Sequence, residues 1–104
     1  MTEPGQVIFI GDHPPVQLHP TEKIKTNDIK KGARLLQSNG WFGTMMDNGR
    51  GTIRMAEVEG FCTEIGSIYM HDVIAAQKEK GGDWFAIEHT KDQNKLRDFA
   101  NLRW

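Results

Sequence analysis

The chain has 104 residues, of which 38% are hydrophobic and 26% are charged, and its formal net charge is −1. This length and composition are typical of one small globular domain, and a charge so near zero excludes bulk attraction to nucleic acid or to an anionic membrane as the basis of function. No apolar run reaches the ~18 residues that a membrane-spanning helix needs, so we expect no membrane insertion.

Residues 1–22 are predicted to form an extension outside the core domain, which then spans residues 23–104. The run 6–10 is short, apolar and rich in β-forming side chains, the segment 11–15 holds turn residues, and residues 16–18 alternate in polarity. Together these segments predict a hairpin. Because its prolines cannot donate hydrogen bonds to a ladder, the hairpin is expected at the edge of a sheet.

Five core strands are predicted from short runs of β-forming residues that alternate with glycine-bearing turns. They cover residues 33–38, 41–47, 52–59, 67–76 and 84–89. A loop or single helical turn at 26–32 precedes them, and residues 60–66 are expected to connect the third strand to the fourth. The chain does not alternate strands with helices, so a parallel sheet is not expected.

Turn and capping residues add two hairpins and one helix to this prediction. The pair Asn39-Gly40 suits a type I′ turn, and the segment 48–51 places two glycines where a positive φ is needed. Thr90 and Gln93 have the spacing of a capping box, which predicts the start of a C-terminal helix. The fold class is therefore predicted as all-β, a small antiparallel barrel with an N-terminal hairpin and one C-terminal helix.

Charge is distributed unevenly along the chain. Residues 23–54 hold seven basic and two acidic residues, a local charge of +5, whereas residues 55–72 hold four acidic residues and no Lys or Arg, a local charge of −4. One interpretation is that neighbouring basic and acidic strands pair across the sheet. The alternative is a bipolar surface that binds a partner.

The segment 29–48, with the sequence IKKGARLLQSNGWFGTMMDN, resembles the opening of a small SH3-like barrel of the KOW type. In that class a basic loop and a glycine lead into a strand, a glycine turn follows, and the next strand carries a second glycine. The matching positions are Lys30, Lys31, Gly32, the Asn39-Gly40 turn and Gly43. The resemblance implies an SH3-like antiparallel barrel. The acidic strand 52–59 departs from the KOW pattern and argues against RNA or ribosome binding.

Residues 39–73 also resemble short uncharacterised proteins of bacteriophages and related mobile elements. That resemblance implies a phage context and brings no catalytic residues with it. Cys62 is the only cysteine, so an internal disulfide is excluded and a reducing compartment is expected. The first residues lack the basic and apolar regions of a signal peptide. We therefore expect a cytoplasmic protein, in the host cytoplasm or the virion if a phage encodes it.

Residue types that support catalysis or metal binding do not fall into a recognisable pattern. His71-Asp72 matches the paired letters of HD phosphohydrolases, but the predicted strand would direct these two side chains to opposite faces, away from a shared metal. His13, His19 and His89 lack the spacing of a zinc site. We predict no catalytic residue, no metal site and no cofactor.

Adjacent aromatic residues are the stronger candidates for binding. Two aromatic pairs lie in predicted strands, where neighbours point to opposite faces, so one member of each pair faces away from the core. Exposed aromatic and arginine side chains are enriched in protein interfaces. The predicted binding residues are Trp41, Phe42, Arg50, Arg54, Trp84 and Phe85. The alternative is that the N-terminal hairpin and the C-terminal helix cover the aromatic residues.

These features favour a non-enzymatic binding module that acts by protein–protein contact, with a protein partner or by self-association into an oligomer. It would be a virion component or a modulator of a host protein. The first alternative is nucleic-acid binding through the basic segment 30–54, with Lys30, Lys31 and Arg34 added to the arginines above. The second alternative is a small enzyme, which would need a cleft with converging polar groups that the sequence does not indicate.

Overall fold

The computed structural model describes residues 3–8, 15–48, 50–60 and 62–102. Its strands are β1 (Val7–Ile8), β2 (Val16–Ile24), β3 (Arg34–Gln37), β4 (Phe42–Met45), β5 (Ile53–Glu59), β6 (Thr63–Tyr69), β7 (Val73–Gln77) and β8 (Trp84–Ile87). Helix α1 spans Lys91–Leu102, and single 3-10 turns lie at Thr26–Asp28 and Met70–Asp72.

The eight strands form one curled sheet, a half-barrel, with the order β1-β2-β8-β7-β3-β4-β5-β6. This architecture confirms the predicted all-β class and its single C-terminal helix. The turn between β3 and β4 holds Gly40 at φ +90°, a conformation that favours glycine. The predicted two-residue type I′ turn is wrong, because Asn39 lacks the positive φ that this turn needs at both central residues. The loop instead spans residues 38–40, closed by bonds from the Gly40 N–H to the Gln37 carbonyl at 2.9 Å and from the Gln37 N–H to the Trp41 carbonyl at 3.0 Å. In the next turn Gly51 does not have the predicted positive φ, and Gly49 lies outside the described residues.

The prediction of one strand over residues 67–76 is wrong. That segment contains the end of β6, the 3-10 turn at Met70–Asp72 and most of β7, while residues 63–66, expected to be a connection, belong to β6. The β5–β6 ladder ends at the pair Ile53↔Tyr69, and the chain must then cross the sheet to pair β7 with β3. Both strands contain β-branched residues, so residue type alone does not mark the crossing.

The sheet is not a parallel one, as predicted, but the expected antiparallel barrel has one exception, because β2 and β8 pair in parallel. Their pairing joins the two ends of the domain, with the other core strands between them in sequence. The register of this pair shifts between Leu18 and Lys23, and Pro20 lies in the irregular stretch. A proline is tolerated there because an irregular stretch requires fewer ladder donors.

Alternating residues of the central strands form two hydrophobic cores, one on each face of the sheet. The inner core, inside the curl, contains Leu35, Ala76, Phe85 and Ile87, among others, and the outer core contains Leu36, Ala75 and Ala86. The N-terminal hairpin covers the outer core by contributing Ile8, Val16 and Leu18. Side chains along a strand alternate between its two faces, and here each face carries a core. Strands β3, β7 and β8 therefore have apolar residues at consecutive positions in the sequence.

The N-terminal segment follows its predicted form where the structure describes it. Strands β1 and β2 pair as an antiparallel hairpin at one end of the sheet order, while residues 9–14 of the predicted strand and turn lie outside the described part. Strand β2 continues to Ile24, however, and therefore crosses the boundary predicted between residues 22 and 23. The division into an extension and a separate core stays a prediction, which truncation can test.

Helix α1 begins with the capping box that the sequence predicts. The Thr90 hydroxyl accepts a bond from the Gln93 backbone N–H at 3.1 Å, and the Gln93 side chain accepts one from the Thr90 N–H at 3.0 Å. The Gln93 amide also donates to the Thr26 hydroxyl at 2.9 Å, which ties the helix to the 3-10 turn that follows β2. Within the described residues, no helix is long and apolar enough to cross a membrane.

Candidate functional site

One edge of the sheet is left without a partner strand in the described structure. Strand β6 ends the sheet order and pairs only with β5, through a continuous ladder from Ile53↔Tyr69 to Glu59↔Thr63. The other end of the sheet is β1, which is two residues long. The half-barrel is therefore open along β6, and a long strand with unpaired backbone groups is the usual place for strand addition.

A cleft of about 380 Å³ lies on the inner face beside this edge. Three elements line it: the β3–β4 turn, the end of β5 with the turn after it, and β6. The described lining residues are Gln37, Asn39, Trp41, Val58, Gly60, Cys62, Glu64, Gly66, Ser67 and Ile68. Its volume falls at the lower end of the range for ligand sites, which suits one or two side chains of a partner.

Trp41 forms one wall of the cleft and is 38% exposed. The β3–β4 turn fixes its backbone, because the Gln37 N–H donates to the Trp41 carbonyl and the Trp41 N–H donates to the Asn39 side chain, both at 3.0 Å. The indole lies so close to Gly60 that a Cβ there would be 2.7 Å from the ring carbon Cζ3. Glycine at position 60 is thus what lets the indole cover the β5–β6 turn.

The outer face of β5 and β6 carries four large exposed apolar side chains. Their exposed fractions are 56% for Ile53, 41% for Met55, 61% for Ile65 and 49% for Tyr69. The register places Ile53 directly opposite Tyr69. Met55 lies on the same face of β5 as Ile53, and Ile65 lies on the same face of β6 as Tyr69. The N-terminal hairpin covers the outer face over the central strands but leaves these four residues exposed. We call the cleft, the free edge of β6 and this outer face together the open side.

In β5 a charged residue is buried while its apolar neighbours are exposed, the reverse of the usual pattern. We call this the inverted polarity of β5. Arg54 faces inward and is 3% exposed, whereas its neighbours Ile53 and Met55 face solvent. The Arg54 guanidinium donates to the carbonyls of Gly51 and Thr26 and to the Asn27 side chain, at 2.7 to 2.9 Å. Burial lowers the pKa of this guanidinium. Since a strand has only two faces, satisfying Arg54 inside forces the apolar neighbours outward.

Acidic side chains flank the open side. Glu59 is already paired, with its carboxylate 2.6 Å from the Arg34 guanidinium. This pair joins a basic and an acidic strand as predicted, but the two strands are not neighbours, because β4 lies between them. Glu57 lies opposite Ile65, and Glu64 lines the cleft. Strand β6 contains Glu64 and no Lys or Arg, so no basic residue of the same strand balances the Glu64 charge.

Cys62 lies at the mouth of the cleft but is poorly suited to act as a nucleophile. Its thiol donates to a Glu64 carboxylate oxygen at 3.0 Å. This hydrogen bond and the negative charge of Glu64 raise the pKa of the thiol above its usual value. A thiol with a raised pKa has a smaller thiolate fraction, and the thiolate is the reactive form.

The six predicted binding residues do not form one surface. Phe42 and Phe85 are each 7% exposed and belong to the outer and inner cores, and the Phe42 ring packs edge-on against Trp84 at 5.7 Å. Trp84 is half-buried, and Arg54 is buried as described above. Arg50 is exposed, and Trp41 alone among the six is a described lining residue of the cleft. Only the pair Trp41-Phe42 leaves an exposed member, Trp41, because Trp84 packs against the outer core while Phe85 lies in the inner core.

The basic residues of the nucleic-acid hypothesis are also not equivalent, because some are exposed and others contact groups within the protein. Lys30 and Lys31 are exposed in the loop before β3. Arg34 is engaged with Glu59 and also lies over the Phe42 ring, 5.3 Å from its centroid. Two of the five bases in that hypothesis, Arg34 and Arg54, are therefore committed to contacts within the protein.

His71 and Asp72 differ from their predicted placement on a strand at the surface. They lie in the 3-10 turn between β6 and β7, and His71 is buried, with its Nε2 3.8 Å from the Asp72 carboxylate. His89 packs near the same turn, its Nε2 3.3 Å from the Met70 carbonyl. In the part of the chain that the structure describes, no three histidine, cysteine or acidic side chains converge as a metal site. His13 lies outside that part.

The four exposed apolar residues of the open side were not singled out from the sequence. The alternation I-R-M-A in β5 contains the relevant signal, but the ordinary interpretation places Ile53 and Met55 in the core and Arg54 in solvent. Comparison of the chain with protein-family models, with curated proteins and with solved structures finds no match. The resemblances to SH3-like barrels and to phage proteins therefore stay predictions.

Proposed function

We propose that the protein is a non-enzymatic binding module that acts through protein–protein contact at the open side. The observation that carries this proposal is the inverted polarity of β5, which exposes Ile53 and Met55 beside Ile65 and Tyr69. A contiguous exposed apolar surface on a small protein is typical of an interaction site. The adjoining cleft adds an aromatic wall, Trp41, of the kind that serves as an anchor in interfaces.

The chemistry of the cleft supports binding rather than turnover. Its described polar lining groups are amides, a hydroxyl, one carboxylate and one thiol with a raised pKa. Catalysis by a cysteine or serine requires an activating base within hydrogen-bond reach of the nucleophile. Here the thiol donates to Glu64, which opposes its ionisation. Binding a partner needs these groups only as hydrogen-bond donors and acceptors, and none of them has to act as an activated nucleophile.

The biological setting of this contact is also a proposal. The phage resemblance favours a virion component or a modulator of a host protein, which places the protein in the host cytoplasm or the particle. Self-association through the open side is one form that the contact can take. Nucleic-acid binding through Lys30, Lys31 and Arg50 is the alternative, and a gel shift that weakens steeply with added salt would favour it.

Capture from lysate tests the proposed function. We expect tagged protein to retain a specific partner, or a second copy of itself, from cells that express it. Trp41→Ala and Ile65→Lys should each reduce the retained amount at least about tenfold, since central interface residues contribute on the order of 1.4 kcal/mol or more. The matched control is Val7→Lys, which changes another exposed apolar strand residue, 39% exposed, at the opposite end of the sheet.

Two results would contradict the proposal. Equal capture by wild type and by both open-side variants, with loss in Val7→Lys, would place the contact on the N-terminal hairpin. Capture of nothing by a well-folded protein that converts a small molecule would make it an enzyme. Thermal melting of each variant establishes that the fold is intact.

A further inference from the structure

We propose that the partner is an extended peptide segment in which basic and apolar residues alternate, and that it adds to the free edge of β6 as an additional antiparallel strand. This inference rests on the proposed function, because it names the partner chemistry of the same open side. Strand addition supplies main-chain hydrogen bonds for affinity, and alternate side chains supply specificity. Three features of β6 support this inference: its free edge, its charge and the side chains on its two faces.

The edge of β6 lacks most of the features that normally protect an exposed strand. Proteins block free edges with prolines, lysines, bulges, very short strands or inward-pointing charges. At the opposite end of the sheet, β2 beside β1 contains Pro20 in an irregular stretch. Of these features β6 has one, the inward-pointing Glu64. Strand β6 is seven residues long, pairs with β5 without a register shift, and has the sequence TEIGSIY, with no proline, lysine or arginine.

Charge favours a basic partner over a second copy. Residues 55–72 carry four acidic residues and no Lys or Arg, and Arg34 pairs with only one of the four, Glu59. Two copies joined through antiparallel β6 edges would place Glu64 of both on the same face with no Lys or Arg in either β6 to balance them, and like charges across a strand pair are destabilising. A segment with Lys or Arg on its inward face meets Glu64 with opposite charge.

The side chains on the two faces of β6 determine which residue types should alternate in the added peptide strand. Side chains of an added strand that point inward enter the cleft, where Trp41 and Glu64 offer an aromatic face and a carboxylate to a cation. Side chains that point outward lie beside Ile65 and Tyr69, which offer apolar surface. Because strand side chains alternate with a period of two, the matching sequence is basic at every second position and apolar between them.

Fluorescence anisotropy with synthetic peptides as long as β6, seven residues, tests this inference. The probes are alternating Lys-Val, alternating Glu-Val, and a peptide of the Lys-Val composition with all lysines in one block. We expect the alternating basic peptide to bind at least about tenfold more tightly than either of the other two. N-methylation at alternate residues, prepared in both phases, should abolish binding in at least one phase, because it removes donors from one edge of the peptide.

Charge reversal in the protein provides the matched test. Glu64→Lys should weaken the alternating basic peptide at least about tenfold and strengthen the acidic one. Glu79→Lys, which makes the same change in the exposed β7–β8 turn, should leave both affinities unchanged. Since both positions are exposed, neither change should affect the melting temperature.

Three outcomes would overturn this inference. Equal binding of the alternating and block peptides would show nonspecific charge attraction, and binding of neither, with a dimer that Ile65→Lys dissociates in sedimentation, would make a second copy the occupant. In both cases the lysate result for Trp41→Ala and Ile65→Lys still decides the proposed function separately. Peptide binding that survives N-methylation in both phases would exclude strand addition.

Discussion

Truncation to residues 23–104 is expected to leave a chain that is largely unfolded at 25 °C. The removed segment contributes Ile8, Val16 and Leu18 to the outer core, where each is 7% exposed or less. Burial of each such side chain stabilises by roughly 1.5–3 kcal/mol, so the loss is on the order of 6 kcal/mol. Since small domains have total stabilities of about 5–15 kcal/mol, this loss removes most of the margin.

Circular dichroism and urea denaturation of the truncated chain measure this effect. A point variant separates packing from chain length: Leu18→Ala, at a fully buried position, should cost about 2–5 kcal/mol. Gln17→Ala, on the exposed face of the same strand, should cost well under about 1 kcal/mol. A truncated chain with an unchanged cooperative transition would instead confirm the division that the sequence predicts, with residues 1–22 as an extension.

Replacement of Arg54 by methionine is expected to destabilise the protein by about 3 kcal/mol. The guanidinium makes three hydrogen bonds, to Gly51, Thr26 and Asn27, and the variant leaves their acceptors without this donor. Loss of a charged partner from a buried group costs about 1–3 kcal/mol per group, with partial relief by water. The effect should reach the helix as well, because the Thr26 hydroxyl accepts a bond from Gln93.

Denaturant titration checks this prediction, with Arg50→Met as the control at an exposed position four residues away in sequence. Arg54→Lys should give an intermediate loss, since an ammonium keeps the charge but lacks the planar fork that reaches three acceptors. An Arg54→Met protein as stable as wild type would mean that apolar packing replaces the network. The inverted polarity of β5 would then need another explanation.

Local signals in the sequence account for the parts of the fold that were predicted correctly. The positive φ at Gly40 and the Thr90 cap depend on backbone groups a few residues apart, so residue type determines them, although the turn type at Asn39-Gly40 was predicted wrongly. The all-β class follows from short β-forming runs between such turns. Strand geometry alone predicts that Trp84 and Phe85 point to opposite faces, but it does not predict that an outer core covers Trp84.

Nonlocal contacts determine the parts that sequence analysis missed. The parallel pairing of β2 with β8 joins distant segments, and the break between β6 and β7 depends on where the β5 ladder ends. The candidate site was missed for a related reason. Hydrophobic patterning assigns Ile53 to the core, and only the acceptors around Arg54, supplied by another segment, reverse that assignment. Local rules fail most often at functional or strained positions.

The most direct test of the open side as the binding surface is an NMR titration of ¹⁵N-labelled protein with the alternating Lys-Val peptide. The account predicts that shift changes concentrate on the amides of β6 and on the Trp41 indole, and that β6 amides at the free edge gain protection from hydrogen exchange. Changes that concentrate on Lys30, Lys31 and Arg50 instead, with β6 unaffected, would contradict it.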